Sequence, residues 1–154
     1  MITYRKAVLS DAAELARIRC MFLAELSAND TSPKLDTLET SCKEYFERTL
    51  ADDSFVAWLA VYGGQIVSTS GLSFYVVPPN NDYPNGKGAY IMNMYTLPDY
   101  RRQGLAKELF KRTVEEAKAR NYTYITLNAT DAGKPLYEKF GFTDVVGDMA
   151  YRIK

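Results

Sequence analysis

The chain has 154 residues, 47% hydrophobic and 25% charged, which suits one domain (residues 1–154) able to bury a core of its own. Nineteen basic and nineteen acidic residues balance, so no global field recruits nucleic acid or an anionic membrane, and any anion site has to be local. There is no histidine, which excludes Ser-His-Asp and Cys-His catalysis and leaves a carboxylate, a tyrosine or water as the only general bases.

Residues 2–6 read as a first strand. Ser10 is placed to cap a helix whose apolar stripe is Leu15, Ile18, Phe22 and Leu26, with Asp11 and Glu14 near its positive end. A polar stretch holding Asn29, Asp30, Ser32 and Pro33 breaks the period. A second helix is expected from about Leu38, with Leu38, Cys42, Tyr45, Phe46 and Thr49 on one side. Cys20 and Cys42 lie in separate helical patterns without metal-ligand or redox spacing, so both are expected as buried free thiols and no metal site is expected.

Residues 54–62 are apolar on both faces, as in a central strand covered on each side. Gly63-Gly64 signals a two-residue hairpin, and residues 65–77 return as a strand with a bulge expected at Gly71. Pro78-Pro79 ends it, and a polar loop follows to Gly88. Tyr75, Tyr83 and Tyr90 either line a pocket near that loop or pack the hairpin.

Residues 89–97 run apolar, aromatic and Thr without a break until Pro98, which cannot donate to a ladder. From Leu105 the period becomes helical, with Leu105, Leu109, Phe110, Val114 and Ala117 on one face. The turn between them carries Arg101 and Arg102 beside the positive end of a helix, where carboxylates normally sit. Two guanidinium groups there are unfavourable unless an anion joins them, and Gly104 lets such an anion approach the backbone. The turn is therefore either a phosphate cradle or two solvated arginines before an ordinary helix. Asn121 is a cap residue, residues 122–128 form a strand, residues 133–140 a short helix stopped at Gly141, and residues 145–154 the last strand or strands. The order β, α, α, β, β, β, α, β, α, β implies an α/β domain, a mixed sheet with helices on both faces and a right-handed parallel crossover.

Arg101-x-x-Gly104-x-Ala106, after a strand and opening a helix, resembles the pyrophosphate-binding signature of the GNAT superfamily, the acetyl-CoA-dependent N-acetyltransferases. Downstream, Leu136-Tyr137-Glu138-Lys139-Phe140-Gly141-Phe142 resembles the family's late motif, commonly LYEKLGF. The resemblance extends in outline over nearly the whole chain and is weakest at residues 29–43 and 78–88. It implies the GNAT fold and acetyl transfer from acetyl-CoA, as co-substrate, to a primary amine of a small molecule or peptide. By the same resemblance the backbone of Met94, Tyr95 and Thr96 pairs with the pantetheine arm and faces the thioester carbonyl. The pyrophosphate falls to the turn of Arg101, Arg102, Gln103, Gly104, Leu105 and Ala106, with Asn128 and Thr130 as further contacts. Tyr137 becomes the acid that protonates the leaving thiolate; a phenol with a pKa near ~10 is protonated at neutral pH.

No acid stands on the central strand, which carries Asn93 and Tyr95 on one face, and no base is assigned; Glu25, Asp30 and Asp82 are the carboxylates that flexible segments could bring there. That gap motivates an alternative function, a non-catalytic CoA-binding regulatory module of the same fold. A homodimer is a further expectation from the family. With no signal-length apolar segment at the start and no membrane-length run, a cytoplasmic location is expected, with no membrane or nucleic-acid partner.

Overall fold

In the computed structural model, which describes residues 1–27 and 35–153, side-chain period separates the elements cleanly. Period-two apolar runs form β1 (Thr3–Lys6), β2 (Phe55–Tyr62), β3 (Gln65–Val76), β4 (Lys87–Thr96) and β5 (Tyr124–Leu127). Helical stripes form α1 (Ala12–Leu26), α2 (Leu35–Ala51), α3 (Leu105–Ala119) and α4 (Lys134–Lys139). The strands lie in the order β1-β2-β3-β4-β5, antiparallel except for the parallel β4–β5 pair that the α3 crossover joins.

Two apolar layers sandwich this mixed sheet. On one face Leu15 and Ile18 of α1 and Phe46 of α2 pack against Phe55, Ala57 and Leu59. On the other, Phe110 and Val114 of α3 and Tyr137 of α4 cover Leu72, Ala89 and Ile91. Strand β2 is apolar on both sides because both are covered; Ala60, on its second face, meets Leu105 and Leu109. Gly63 and Gly64 both take positive φ, the backbone that a two-residue hairpin between right-twisted strands needs.

Several local expectations are revised. Asp11, not Ser10, organises the start of α1: its carboxylate accepts the Val8 N–H at 2.7 Å and a two-pronged bond from Arg5 at 2.8 and 3.0 Å. Helix α2 begins at Leu35 rather than near Leu38, and Leu38 itself stays exposed. Asn121 ends α3 in left-handed backbone, with Tyr122 N–H returning to the Ala117 carbonyl at 3.0 Å. Gly141 closes α4 in the same way. Cys20 and Cys42 are buried and free, as expected. The last strand expected over residues 145–154 is not formed: residues 143–153 carry no strand and, among the described residues, no element pairs with them, while Lys154 lies outside the described residues.

One irregularity positions the site. Opposite Thr69 and Gly71 of β3 stand Tyr95 and Met92 of β4, so two residues of β3 spacing face three of β4. The extra residue is accommodated at Asn93, whose φ is 57°, and the bulge lies on β4 rather than at Gly71. Gly71 is needed instead for close approach, since a Cβ there would come within 2.6 Å of the Phe55 ring. A bulge reverses which face each later side chain occupies. Ile91 therefore packs towards α3 and α4, whereas Tyr95 joins the α1 and α2 layer. The β4–β5 register also ends at Ile91 and Leu127, so the edge of β4 beyond that point is left open towards the start of α3.

Candidate active site

After β4, Pro98–Tyr100 makes a short 3₁₀ turn and the chain reverses into α3. Arg102 (φ 62°) and Gly104 (φ 81°) both adopt left-handed backbone, and Gly104 caps the helix with no side-chain hydrogen bond. Glu108 N–H makes the first helical bond, to the Gly104 carbonyl at 3.1 Å. None of the amides from residue 102 to 107 donates to another group among the described residues. A helix start normally has orphan N–H groups satisfied by a cap or solvent. Here they converge with the helix's positive end on one concave turn, a nest suited to an anion. An ideal Cβ on Gly104 would meet no protein atom within 4 Å, so the space in front of the turn is open.

The paired arginines divide their roles. Arg101 turns away from the turn: its guanidinium donates to both Glu25 oxygens at 3.0 Å and to the Thr96 carbonyl at 2.8 Å, and lies 5.3 Å from the centre of the Tyr95 ring. The Tyr95 hydroxyl donates to Glu25 at 2.7 Å. Arg102 forms no ion pair among the described residues and is exposed at the turn. Of the expected contacts, Gln103, Gly104 and Arg102 are exposed at the turn, Leu105 is buried against Ala60 and Val67, and Ala106 is half-buried.

This cluster also bears on the base. The Tyr95 hydroxyl and then Arg101 hold the Glu25 carboxyl below the usual carboxylate range, which makes it a weak proton acceptor. The Asn93 side-chain carbonyl receives a bond from Arg19, and its backbone carbonyl one from Thr69 at 2.6 Å. Asp82 N–H belongs to a turn on Asn80 in the loop before β4, at the opposite end of that strand from the turn. Asp30 lies outside the described residues. Among the described residues, the structure thus brings Glu25 and not Asp82 to this end of β4, in a form unsuited to take a proton.

Tyr137 is buried, its ring 5.1 Å from that of Phe110 and its face over Gly133. Burial pushes its phenol above the ordinary value, and its hydroxyl has no hydrogen-bond partner among the described residues. Thr130 is occupied in starting α4, accepting the Gly133 N–H on its hydroxyl at 3.2 Å, while Asn128 follows β5 and is exposed. Tyr75, Tyr83 and Tyr124 pack together at the base of the loop, the first two joined by a 3.0 Å hydroxyl contact. Gly88 makes room for this group, since a Cβ there would fall 2.4 Å from the Tyr75 ring. Tyr75 and Tyr83 thus pack the hairpin at the far end of β4 from the turn.

Beside the turn, α3 and α4 enclose an open cleft of about 380 Å³ lined by Lys107, Leu136, Lys139 and Phe140. Sequence reasoning passed over the two lysines, which read as solvated positions on helix faces. Their shared signal is the absence of an acid partner: neither lysine, nor Arg102, is ion-paired among the described residues, in a chain with no net charge.

The mixed sheet thus opens at its bulged central strand, with an uncapped helix start beside the opening, and the class of protein that carries this fold is the acyl-CoA-dependent N-acyltransferases. The chain belongs to the acetyltransferase (GNAT) family, whose model matches residues 15–142. Among solved structures it is similar to a predicted acetyltransferase from Clostridium acetobutylicum determined with acetyl-CoA, 34% identical over 99% of this chain and 96% of that one, with a TM-score of 0.89. A GCN5-related N-acetyltransferase from Ralstonia eutropha JMP134 matches with 27% identity, 99% coverage of each chain and a TM-score of 0.89. A glucosamine-6-phosphate N-acetyltransferase from Arabidopsis thaliana, 18% identical over 100% of this chain and 99% of its own, shares the fold with a TM-score of 0.73. No curated protein matches the sequence. Among the described residues no helix is long and apolar enough to cross a membrane.

Proposed function

We propose that this enzyme moves an acetyl group from acetyl-CoA directly to a primary amine of a small molecule or peptide. The observation that carries the reading is the set of undonated amides at residues 102–107, open to the exterior beside the free edge of β4. The fit to the co-substrate is electrostatic as well as steric. The amides of Gln103, Gly104, Leu105 and Ala106, with the Arg102 guanidinium, would hold a pyrophosphate. Lys107 and Lys139 would meet a further phosphate, and Leu136 and Phe140 the flat apolar face of a base. Asn128, exposed after β5, is left as a peripheral contact. Acetyl-CoA supplies the thioester, an acyl group already activated towards amines.

The chain's own residues then have three tasks. The backbone of Met94, Tyr95 and Thr96 offers the edge that β5 leaves uncovered to an extended pantetheine arm, as a neighbouring strand would, with the Thr96 carbonyl already taken by Arg101. An N–H of that edge, fixed in advance by the sheet, stabilises negative charge gathering on the carbonyl oxygen. The Tyr137 phenol gives its proton to the departing sulfur: the amine nitrogen bonds to the acyl carbon, the C–S bond breaks with its electron pair going to sulfur, and the amine's surplus proton passes to water. The phenol is protonated at neutral pH, as a proton donor must be, and burial keeps it so without adding to its acid strength. The state of Glu25 supports water rather than a carboxylate as the final proton acceptor.

The test is steady-state kinetics with a panel of amines, beside Tyr137→Phe. General acid catalysis contributes about 10²–10⁴-fold, so kcat should fall by that order while acetyl-CoA affinity holds. A variant as fast as the parent would remove Tyr137 from the reaction; release of no thiol with any amine would remove the proposed acceptor class.

A further inference from the structure

One charged side chain beside the reacting edge has no part in holding acetyl-CoA or moving protons. Of the charged residues of α1, Glu14 pairs with Arg17 and Glu25 with Arg101. Arg19 is half-buried, forms no ion pair among the described residues and donates instead to the neutral side-chain carbonyl of Asn93. A guanidinium carries five N–H donors in a planar fork shaped for two oxygens, and one neutral partner leaves most of them without an acceptor. Taking such a cation partly out of water costs free energy that an opposed anion offsets.

Asn93 presents the same demand from the strand. A guanidinium can only donate, so the amide atom facing it is the oxygen, and the NH2 group points the other way. Neither hydrogen of that group is donated among the described residues, although Asn93 is buried. The nitrogen is nonetheless not sealed in: among the described residues, Trp58 Nε1 is the one fully buried side-chain nitrogen or oxygen without a partner. Asn93 thus shows its NH2 to open space, from left-handed backbone at φ 57° that asparagine tolerates better than most residues. Arg19 and Asn93 together form a surface of donors that lacks an acceptor.

Their position decides which reactant they meet. Asn93 immediately precedes the Met94–Thr96 edge, and its side chain lies with Tyr95 on the α1 and α2 face of the sheet. The turn before α3 and the cleft between α3 and α4, which take the co-substrate, belong to the other face. We propose that Arg19 and Asn93 select acceptors that carry an anionic oxygen group, a carboxylate or a phosphate, a few bonds from the amine. The guanidinium and the amide NH2 hold two of its oxygens, and the amine faces the acyl carbon at the next residues along β4. The inference rests on the acetyl-transfer reading and narrows its acceptor class.

The test is kinetics with small amines in matched pairs, alanine beside alaninamide and ethanolamine phosphate beside ethanolamine, which tell a carboxylate from a phosphate. In at least one pair, the kcat/KM ratio of anionic to neutral member should fall by about 10–150-fold from parent to Arg19→Gln, through KM, the range of a hydrogen bond to a charged group. Comparing ratios between proteins cancels the difference in amine basicity within a pair. Arg19→Lys keeps the charge but not the fork and should recover part of the ratio, whereas Asn93→Asp gives Arg19 an internal anion and should lower it as Arg19→Gln does. A merely structural role would slow both members of a pair alike. Equal ratios in parent and Arg19→Gln would overturn the proposal and leave acetyl transfer standing. Thiol release with no amine would instead remove the transfer reading, and calorimetric titration of the same amines into CoA-saturated parent and Arg19→Gln then decides the proposal alone. Anionic members that lose about 10-fold or more in affinity uphold it; equal binding, or none, overturns it.

Discussion

Substituting Gly104 by alanine separates the strain of the turn from its use. Gly104 has φ 81°, and left-handed backbone costs a residue with a Cβ about 1–2 kcal/mol. No protein atom lies within 4 Å of the new Cβ, so no clash adds to that figure. For a domain of this size each kcal/mol lowers Tm by about 2–4 °C, so unliganded Gly104→Ala should melt about 2–8 °C below the parent. Binding should suffer more, because the methyl group stands where an anion must approach the amides. Each lost hydrogen bond to a charged group removes about 1.5–3 kcal/mol, or about 10–150-fold in Kd. Gly64→Ala is the control: it has φ 80° and equally open surroundings, but lies in the β2–β3 hairpin. It should show the same loss of Tm and unchanged affinity. Calorimetric titration of acetyl-CoA into all three proteins decides the matter. Equal affinity in Gly104→Ala and the parent would refute the phosphate cradle, and the reading of the turn with it.

Three further outcomes follow from the same geometry. Arg102→Gln should weaken acetyl-CoA binding roughly 3–10-fold and flatten its dependence on salt, since it removes an unpaired cation rather than a packed one; titrations at two ionic strengths check this. Glu25→Gln should change stability by less than about 1 kcal/mol, as an exposed pair with Arg101, and leave the acid limb of the pH-rate profile in place. Disappearance of that limb would make Glu25 the base after all. Asp11→Asn should lower stability by about 1–2 kcal/mol through loss of the Val8 N–H and Arg5 bonds. Because Arg5 holds the Asp11 carboxyl below its unfolded value, the parent keeps that contribution above the unfolded pKa and loses it as pH falls through the folded one. Acid melting curves of parent and variant should therefore converge at low pH.

Local chemistry made much of this enzyme legible before any coordinates. Period and punctuation alone gave the strand, turn and helix around residues 89–117, because each depends on contacts within a few residues: Pro98 stopping a ladder, Gly104 permitting a left-handed turn, an apolar stripe every third or fourth residue. The two motifs of the resemblance lie in such segments, which is why family and fold were legible together. Tertiary structure decided what depends on distant partners. That Arg101 serves Glu25, while Arg102 has no ion pair among the described residues, follows from the packing of α1 across the sheet. The bulge at Asn93, which turns Tyr95 towards that helix, exists only in the register of β4 on β3. The pairing of Lys107 with Lys139 across a cleft needs α3 and α4 side by side. The last strand shows the limit most plainly: residues 148–153 alternate as a strand would, but a strand is formed only by its neighbour, and the structure places none of the described residues beside them.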